Sequence, residues 1–128
     1  MEIKPGLKYT KTHEWIQVTE LNAKIGISDY AQQQLTDIVY MELPDKSAKI
    51  KKGQAFGVLE SVKAVEDIYA PVSGTVLQKN NKVIDSPELL NNDPYNSWLI
   101  EIKLDDLKDL NDLMDDKAYS QFLATLKH

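Results

Sequence analysis

Cysteine is absent from the 128 residues. That excludes a disulfide framework, a thiolate metal site and a cysteine nucleophile, so any thiol chemistry must come from a cofactor. Arginine is absent too: all 15 basic residues are lysines, which removes bidentate guanidinium clamps on phosphate or carboxylate. Histidine is limited to His13 and His128. His13-Glu14 begins like the zinc signature H-E-x-x-H, but Gln17 takes the second ligand position, and no G-x-S-x-G or phosphate loop occurs. No apolar run reaches transmembrane length, and Met1 to Pro5 opens no apolar leader segment. A free-standing enzyme and a membrane protein are both disfavoured. The expected compartment is the bacterial cytoplasm, or the mitochondrial matrix if the chain is a trimmed mature form.

What is present describes a globular protein. The length suits one domain over 1–128 with a single core, and the 42% apolar and 27% charged composition is not that of a disordered chain. The net charge of −5 and pI near 5.0 argue against nucleic acid, which calls for a basic face.

The periodicity is mostly that of strands. Glu14 to Glu20 alternates, with Lys24 to Ser28 as its hairpin partner through Leu21-Asn22-Ala23. Ser28 reads as an N-cap and Asp29 as the first-turn acid of a short helix over 29–35. Asp37 to Leu43, Gly74 to Lys79 and Trp98 to Leu104 read as further strands. Lys46, Lys49, Lys51 and Lys52 read as a solvated edge. Ser86-Pro87-Glu88 has the grammar of a helix start, Ser at the N-cap and Pro at the first helical position. Leu104, Leu107, Leu110 and Leu113 are spaced by three, and Asp115-Asp116 caps a helix carrying Tyr119, Phe122, Leu123 and Leu126 on one stripe. The six aspartates between 105 and 116 read as a solvated face.

The chain is organised around a hairpin. Phe56 to Val62 and Ala64 to Tyr69 read as strands with no long loop between them, so they fold back through a tight turn near Ser61 to Ala64. The turn lacks the Asn-Gly or Asp-Gly pair such turns favour, and Lys63 sits there instead. The run E-S-V-K-A, followed by Tyr69-Ala70-Pro71-Val72-Ser73-Gly74, resembles the lipoyl-lysine site of the glycine cleavage system H protein family. Tyr9-Thr10-Lys11-Thr12-His13-Glu14-Trp15 is similar to that family's Y-x-x-x-H-E-W. Further blocks are similar at Ile25 to Pro44, Asp85 to Asn91, Pro94-Tyr95 and Trp98 to Ile100, so that residues 7 to 103 are covered in order.

The resemblance implies a fold and a role. The fold is mainly β with short helices (α+β): a lipoyl-domain-like flattened β-barrel or barrel-sandwich hybrid with pseudo-two-fold halves, the lysine at a hairpin tip and C-terminal helices packed on the sheet. The role is that of a non-catalytic shuttle. Lipoate, amide-linked to Lys63, would accept an aminomethyl group from the glycine decarboxylase, which uses pyridoxal phosphate. It would present that group to the folate-dependent aminomethyltransferase and be reoxidised by the FAD enzyme dihydrolipoyl dehydrogenase. Relay of a lipoyl or octanoyl group to other lipoylated enzymes is an equally open implication. Glu60, three residues before the lysine, and Gly74, eleven after it, stand where the attaching lipoate-protein ligase or lipoyl/octanoyl transferase reads its substrate. The loaded arm would fold back into a cleft walled by Glu14, the helix 29–35 and Asp67, away from water. A carrier that visits several enzymes is best served as a monomer.

Related carriers fit less well. Biotin carriers place methionines beside the lysine, and lipoyl domains of 2-oxoacid dehydrogenases place Asp before it; here the neighbours are Val62 and Ala64. A plain interaction domain with unmodified Lys63 is a further rival. The sequence departs from the family pattern at Tyr30, where histidine is usual, at Gln34, at Thr36, where glycine is common, at Asp45-Lys46-Ser47, and at Tyr95-Asn96-Ser97-Trp98.

Overall fold

A computed structural model describes residues 1–126. Nine strands form two antiparallel sheets, with short helices at their margins. Strands β1 (Lys8–Tyr9), β2 (Glu14–Thr19), β3 (Asn22–Ile27), β5 (Lys49–Ile50), β8 (Gly74–Lys79) and β9 (Ile100–Leu104) make the larger sheet, in the order β1-β2-β3-β9-β8-β5. Strands β4 (Ile38–Glu42), β6 (Ala55–Ser61) and β7 (Val65–Tyr69) make the smaller, with β6 central. The sheets do not close into a barrel, and the architecture is the sandwich form of the expected fold.

Alternation explains the larger sheet. In β9, Ile100, Ile102 and Leu104 are buried while Glu101 and Lys103 face outward. They meet Ile16, Ile25 and Val76 in one apolar cluster. A second cluster lies under the smaller sheet, where Met41, Leu59 and Ile68 pack with Leu35 of helix α1 (Asp29–Leu35). In β2 both faces are covered: Ile16 joins the first cluster, and Trp15 joins Tyr9, Tyr95 and Tyr119 in a third. Trp15 lies so close over Gly26 that a β-carbon there would sit 2.4 Å from the indole ring. Only glycine leaves that space. Ser28 caps α1 as expected, its hydroxyl oxygen accepting from Ala31 N–H.

The structure corrects the reading around Ser86. A helix α2 (Asn81–Asp85) precedes it, capped by the Asn80 side chain, and Ser86 ends that helix. The next helix, α3 (Leu89–Asn92), has Glu88 in the cap position with no side-chain cap bond. Lys52 also departs from the solvated edge. Its ammonium donates to Asp112 Oδ1 and Asp109 O at 2.6 Å and to Pro71 O at 3.2 Å. The aspartate segment is therefore partly structural: Asp109 Oδ2 accepts from Ser73 N–H, and Lys52 draws the Asp112 carboxyl below its ordinary range. The leucine spacing of three contains a 3-10 turn at Leu107–Leu110, and Asp115 caps helix α4 (Asp116–Thr125) through Ala118 N–H. Helix α4 buries Tyr119 and Leu123 against the aromatic cluster. His128 lies outside the described residues. Among those described, no helix is long and apolar enough to cross a membrane.

Candidate functional site

The turn between β6 and β7 is built by Ser61. Its Oγ accepts from the N–H groups of Lys63 (3.1 Å) and Ala64 (3.0 Å), and its hydroxyl faces Ala64 O at 3.2 Å. Ser61 N–H donates to the same carbonyl at 2.8 Å. A serine at the first turn position replaces the missing Asn-Gly by bonding the backbone with its side chain. The tip is also tied sideways, since Val62 N–H donates to Asp37 O at 3.0 Å, just before β4. Lys63 therefore projects from a fixed backbone. It is exposed, and its Nζ lies 3.5 Å from the Gln34 carbonyl in the last turn of α1. That turn holds no basic residue of its own, so the ammonium meets the negative end of the helix. Among the described residues no carboxylate forms an ion pair with Lys63.

Below the tip, Lys63 opens on a cleft of about 480 Å³, within the span of small-molecule sites. One wall is β7, the other is α1 with Tyr30, Ala31 and Gln34, and the floor is His13-Glu14. Glu14 is only 2% exposed. Its Oε1 accepts from the Thr10 and Thr12 hydroxyls at 2.5 Å each, and Oε2 accepts from Tyr69 N–H at 3.2 Å. Burial pushes its carboxyl above the ordinary glutamate range, against the pull of these bonds. It has no ion-pair partner among the described residues.

His13 sits beside it with a positive φ of 74° and its ring 4.5 Å from that of Tyr30. Its Nδ1 is 2.8 Å from Tyr119 Oη, which is 2.7 Å from Ser28 Oγ. Ser28 is fully buried and its oxygen already accepts from Ala31 N–H. Ser28, Tyr119 and His13 Nδ1 are thus joined in one chain of hydrogen-bond contacts. Burial lowers the His13 pKa, in keeping with a neutral ring.

The structure brings Lys63, Glu14, Asp67 and the helix 29–35 together around this one cleft. Glu14, a surface acid on the plainest reading of the sequence, is buried, whereas Asp67 is exposed on the edge strand. Glu60 is exposed on β6, paired with Tyr40 and Val65. Gly74 lies away from the cleft, at the start of β8, where a β-carbon would stand 2.4 Å from Lys103 O. Close strand approach is thus reason enough for glycine there. Sequence reasoning missed His13 as a cleft residue, having read it in the Tyr9–Trp15 block and weighed it against a metal motif without placing it in the cleft. It also missed Ser61, although serine at the first position of a tight turn was the available signal. Among the described residues, no group of three or more His, Cys, Asp or Glu side chains is placed to hold a metal ion.

Comparison with known proteins finds the following similarities. The family profile described as "Glycine cleavage H-protein" matches residues 7–126. A "Glycine cleavage system H protein" of Thermoanaerobacter sp. is 50% identical over 123 residues, covering 96% of this chain and 98% of the relative. One from Halothermothrix orenii is 49% identical over 128 residues, covering 99% and 100%. The crystal structure of a glycine cleavage system H protein from Mycobacterium marinum superposes with a TM-score of 0.89 at 28% identity, over 95% of this chain and 99% of that one.

Proposed function

The chain belongs to the glycine cleavage H-protein family, and from that premise we propose that Lys63 carries a lipoyl group in amide linkage and shuttles it among the enzymes of a glycine cleavage system. The observation that carries this reading is the position of Lys63. It is exposed on the apex of a braced hairpin, without an ion-pair partner among the described residues, at the mouth of a cleft holding a buried carboxylate. A modifying enzyme needs an ε-amine that stands clear of its neighbours and can shed its proton. Lys63 would hold the lipoyl group in amide linkage, and that group would supply a dithiolane able to carry an aminomethyl group between the glycine decarboxylase and the folate-dependent aminomethyltransferase, with dihydrolipoyl dehydrogenase as its reoxidising partner.

The residues of this chain hold and shield that arm. The cleft walls exclude water from a labile adduct. Glu14 Oε2, which accepts a single N–H from the protein among the described residues, offers a remaining lone pair to a protonated amine. Exposed Asp67 at the rim offers a second carboxylate. His13 lines the same space with its imidazole ring. Glu60, exposed on β6 just before the tip, is available to the attaching enzyme for recognition, and Gly74 follows the lysine in the chain at the spacing that enzyme reads.

The test is Lys63→Arg. The variant should fold as the parent does, because the position is exposed, and it should take no lipoate from a lipoate-protein ligase. Labelling of the variant at another lysine would refute the assignment.

A further inference from the structure

Four of the eight large apolar side chains exposed among the described residues surround the lysine-bearing tip: Val39 (51%), Tyr40 (48%), Val62 (68%) and Val65 (65%). Their arrangement follows from strand register. Tyr40, Glu60 and Val65 stand opposite one another across β4, β6 and β7. The neighbouring row places Met41 and Leu59 inward, in the core. An irregularity in register between Ile38 and Tyr40 leaves both Val39 and Tyr40 exposed. Val62 belongs to the turn itself, held against the start of β4 through Asp37 O.

Exposed apolar residues scattered singly call for no explanation; a contiguous group around one functional side chain does. The surroundings are of one sign. Strands β4, β6 and β7 contain no lysine, and the exposed charged groups on them are Glu42, Glu60, Glu66 and Asp67. Glu42 and Glu60 lie close enough to the Tyr40 hydroxyl to raise its pKa. A complementary surface has an apolar centre and a basic rim.

Reach decides which partner this is. An unmodified ε-amine extends only one side chain beyond the backbone, so an enzyme that acylates it must press its own surface against the tip. Enzymes that act on the far end of a completed arm meet it at a distance. We propose that Val39, Tyr40, Val62 and Val65, rimmed by Glu42 and Glu60, form the docking surface for the enzyme that acylates Lys63. This rests on the reading of Lys63 as the attachment site. In the step served, the neutral amine, its proton given to solvent or a base, attacks the carbonyl carbon of an acyl adenylate. The C–N bond forms, the bond from that carbon to the phosphate oxygen breaks, and AMP leaves with the electron pair.

The experiment uses Tyr40→Ser with Val65→Ser, and separately Val65→Thr, which keeps a strand-forming side chain should the double variant fold poorly. Acylation of the apo chains by a purified lipoate-protein ligase is followed under steady state. Each chain is then driven to full lipoylation with excess ligase, and its reduction by dihydrolipoyl dehydrogenase is measured. For the double variant, kcat/KM of acylation should fall about tenfold or more, mainly through KM. Reduction of the lipoylated variant should stay within about twofold, as the loss of contacts at one interface predicts. Val65→Thr should show the smaller loss in the same direction. Unchanged acylation in both variants, or an equal loss in both assays, overturns the proposal. Failure of the parent chain to be acylated at Lys63 instead overturns the attachment reading beneath it.

Discussion

Thr36 shows what one side chain costs. It ends α1 at φ 60° and ψ −146°, a region open to glycine and strained for a β-branched residue. Thr36→Gly should raise unfolding free energy by about 1 kcal/mol, the low end of such strain, measured by denaturant titration. Glu14 makes a second prediction. Its folded pKa is raised by burial, so the folded state holds the proton more tightly than the unfolded state. The stability gained from that proton is full below the ordinary glutamate pKa and is lost as pH rises through the higher folded value. The stability of the parent relative to Glu14→Gln should therefore decline as pH rises above about 4.5, near the reference value for glutamate, as read from melts across pH. A difference that grows with pH would show that the hydrogen bonds from Thr10, Thr12 and Tyr69 outweigh burial. Burial at Glu14 was not legible beforehand: a glutamate opening a strand looks like any surface acid, and only the edge of β7 arriving from 55 residues away encloses it.

At the scale of elements, the hairpin depends on Ser61. Ser61→Ala removes an acceptor shared by two turn N–H groups and one donor to Ala64 O. The expected loss is about 1–2 kcal/mol, with amide hydrogen exchange at Lys63 and Ala64 accelerated ahead of the amides of β9. Equal acceleration throughout would mean that the hairpin has no local stability of its own. Strands were the most legible elements: β9 carries one inward and one outward face, whereas the register irregularity in β4 leaves both Val39 and Tyr40 exposed and breaks its expected alternation. Helix α1 was legible through its cap, Ser28-Asp29. Helix α2 was not, because five residues have no room for a 3.6-residue period. The Ser-Pro-Glu signal did announce α3, but its cap lies at Glu88 rather than Ser86, whose place is the end of α2. The leucines spaced by three were legible as helical, and their period of three matches the 3-10 turn within them.

At the scale of the whole molecule, the two sheets set Lys63 on a rigid support. The larger sheet and the aromatic cluster carry the core, while the smaller sheet offers the lysine at its tip, an acidic apolar patch on one side and the cleft on the other. The segment 105–116 illustrates what composition alone conceals. Its aspartates looked like a solvated face, yet Lys52 and Ser73 draw it across the end of the larger sheet. The Lys52–Asp112 ion pair is 2.6 Å long, with the aspartate side chain 72% exposed, so the segment owes its position to the backbone bonds more than to that pair. The location of Lys63 was legible at every level, since two strand-like runs with no loop between them force an apex. Its surroundings come from residues distant in the chain: the family resemblance pointed to Glu14, the helix 29–35 and Asp67, all of which line the cleft, while the part played by His13 and the burial of Glu14 were missed.

The most direct measurement is the intact mass of the chain purified from cells supplied with lipoate, followed by peptide mapping. The account expects the added mass of one lipoyl group, located on the peptide that contains Lys63 and absent from Lys63→Arg. A chain that stays unmodified when a competent lipoate-protein ligase is present, or one modified at a different lysine, would contradict it.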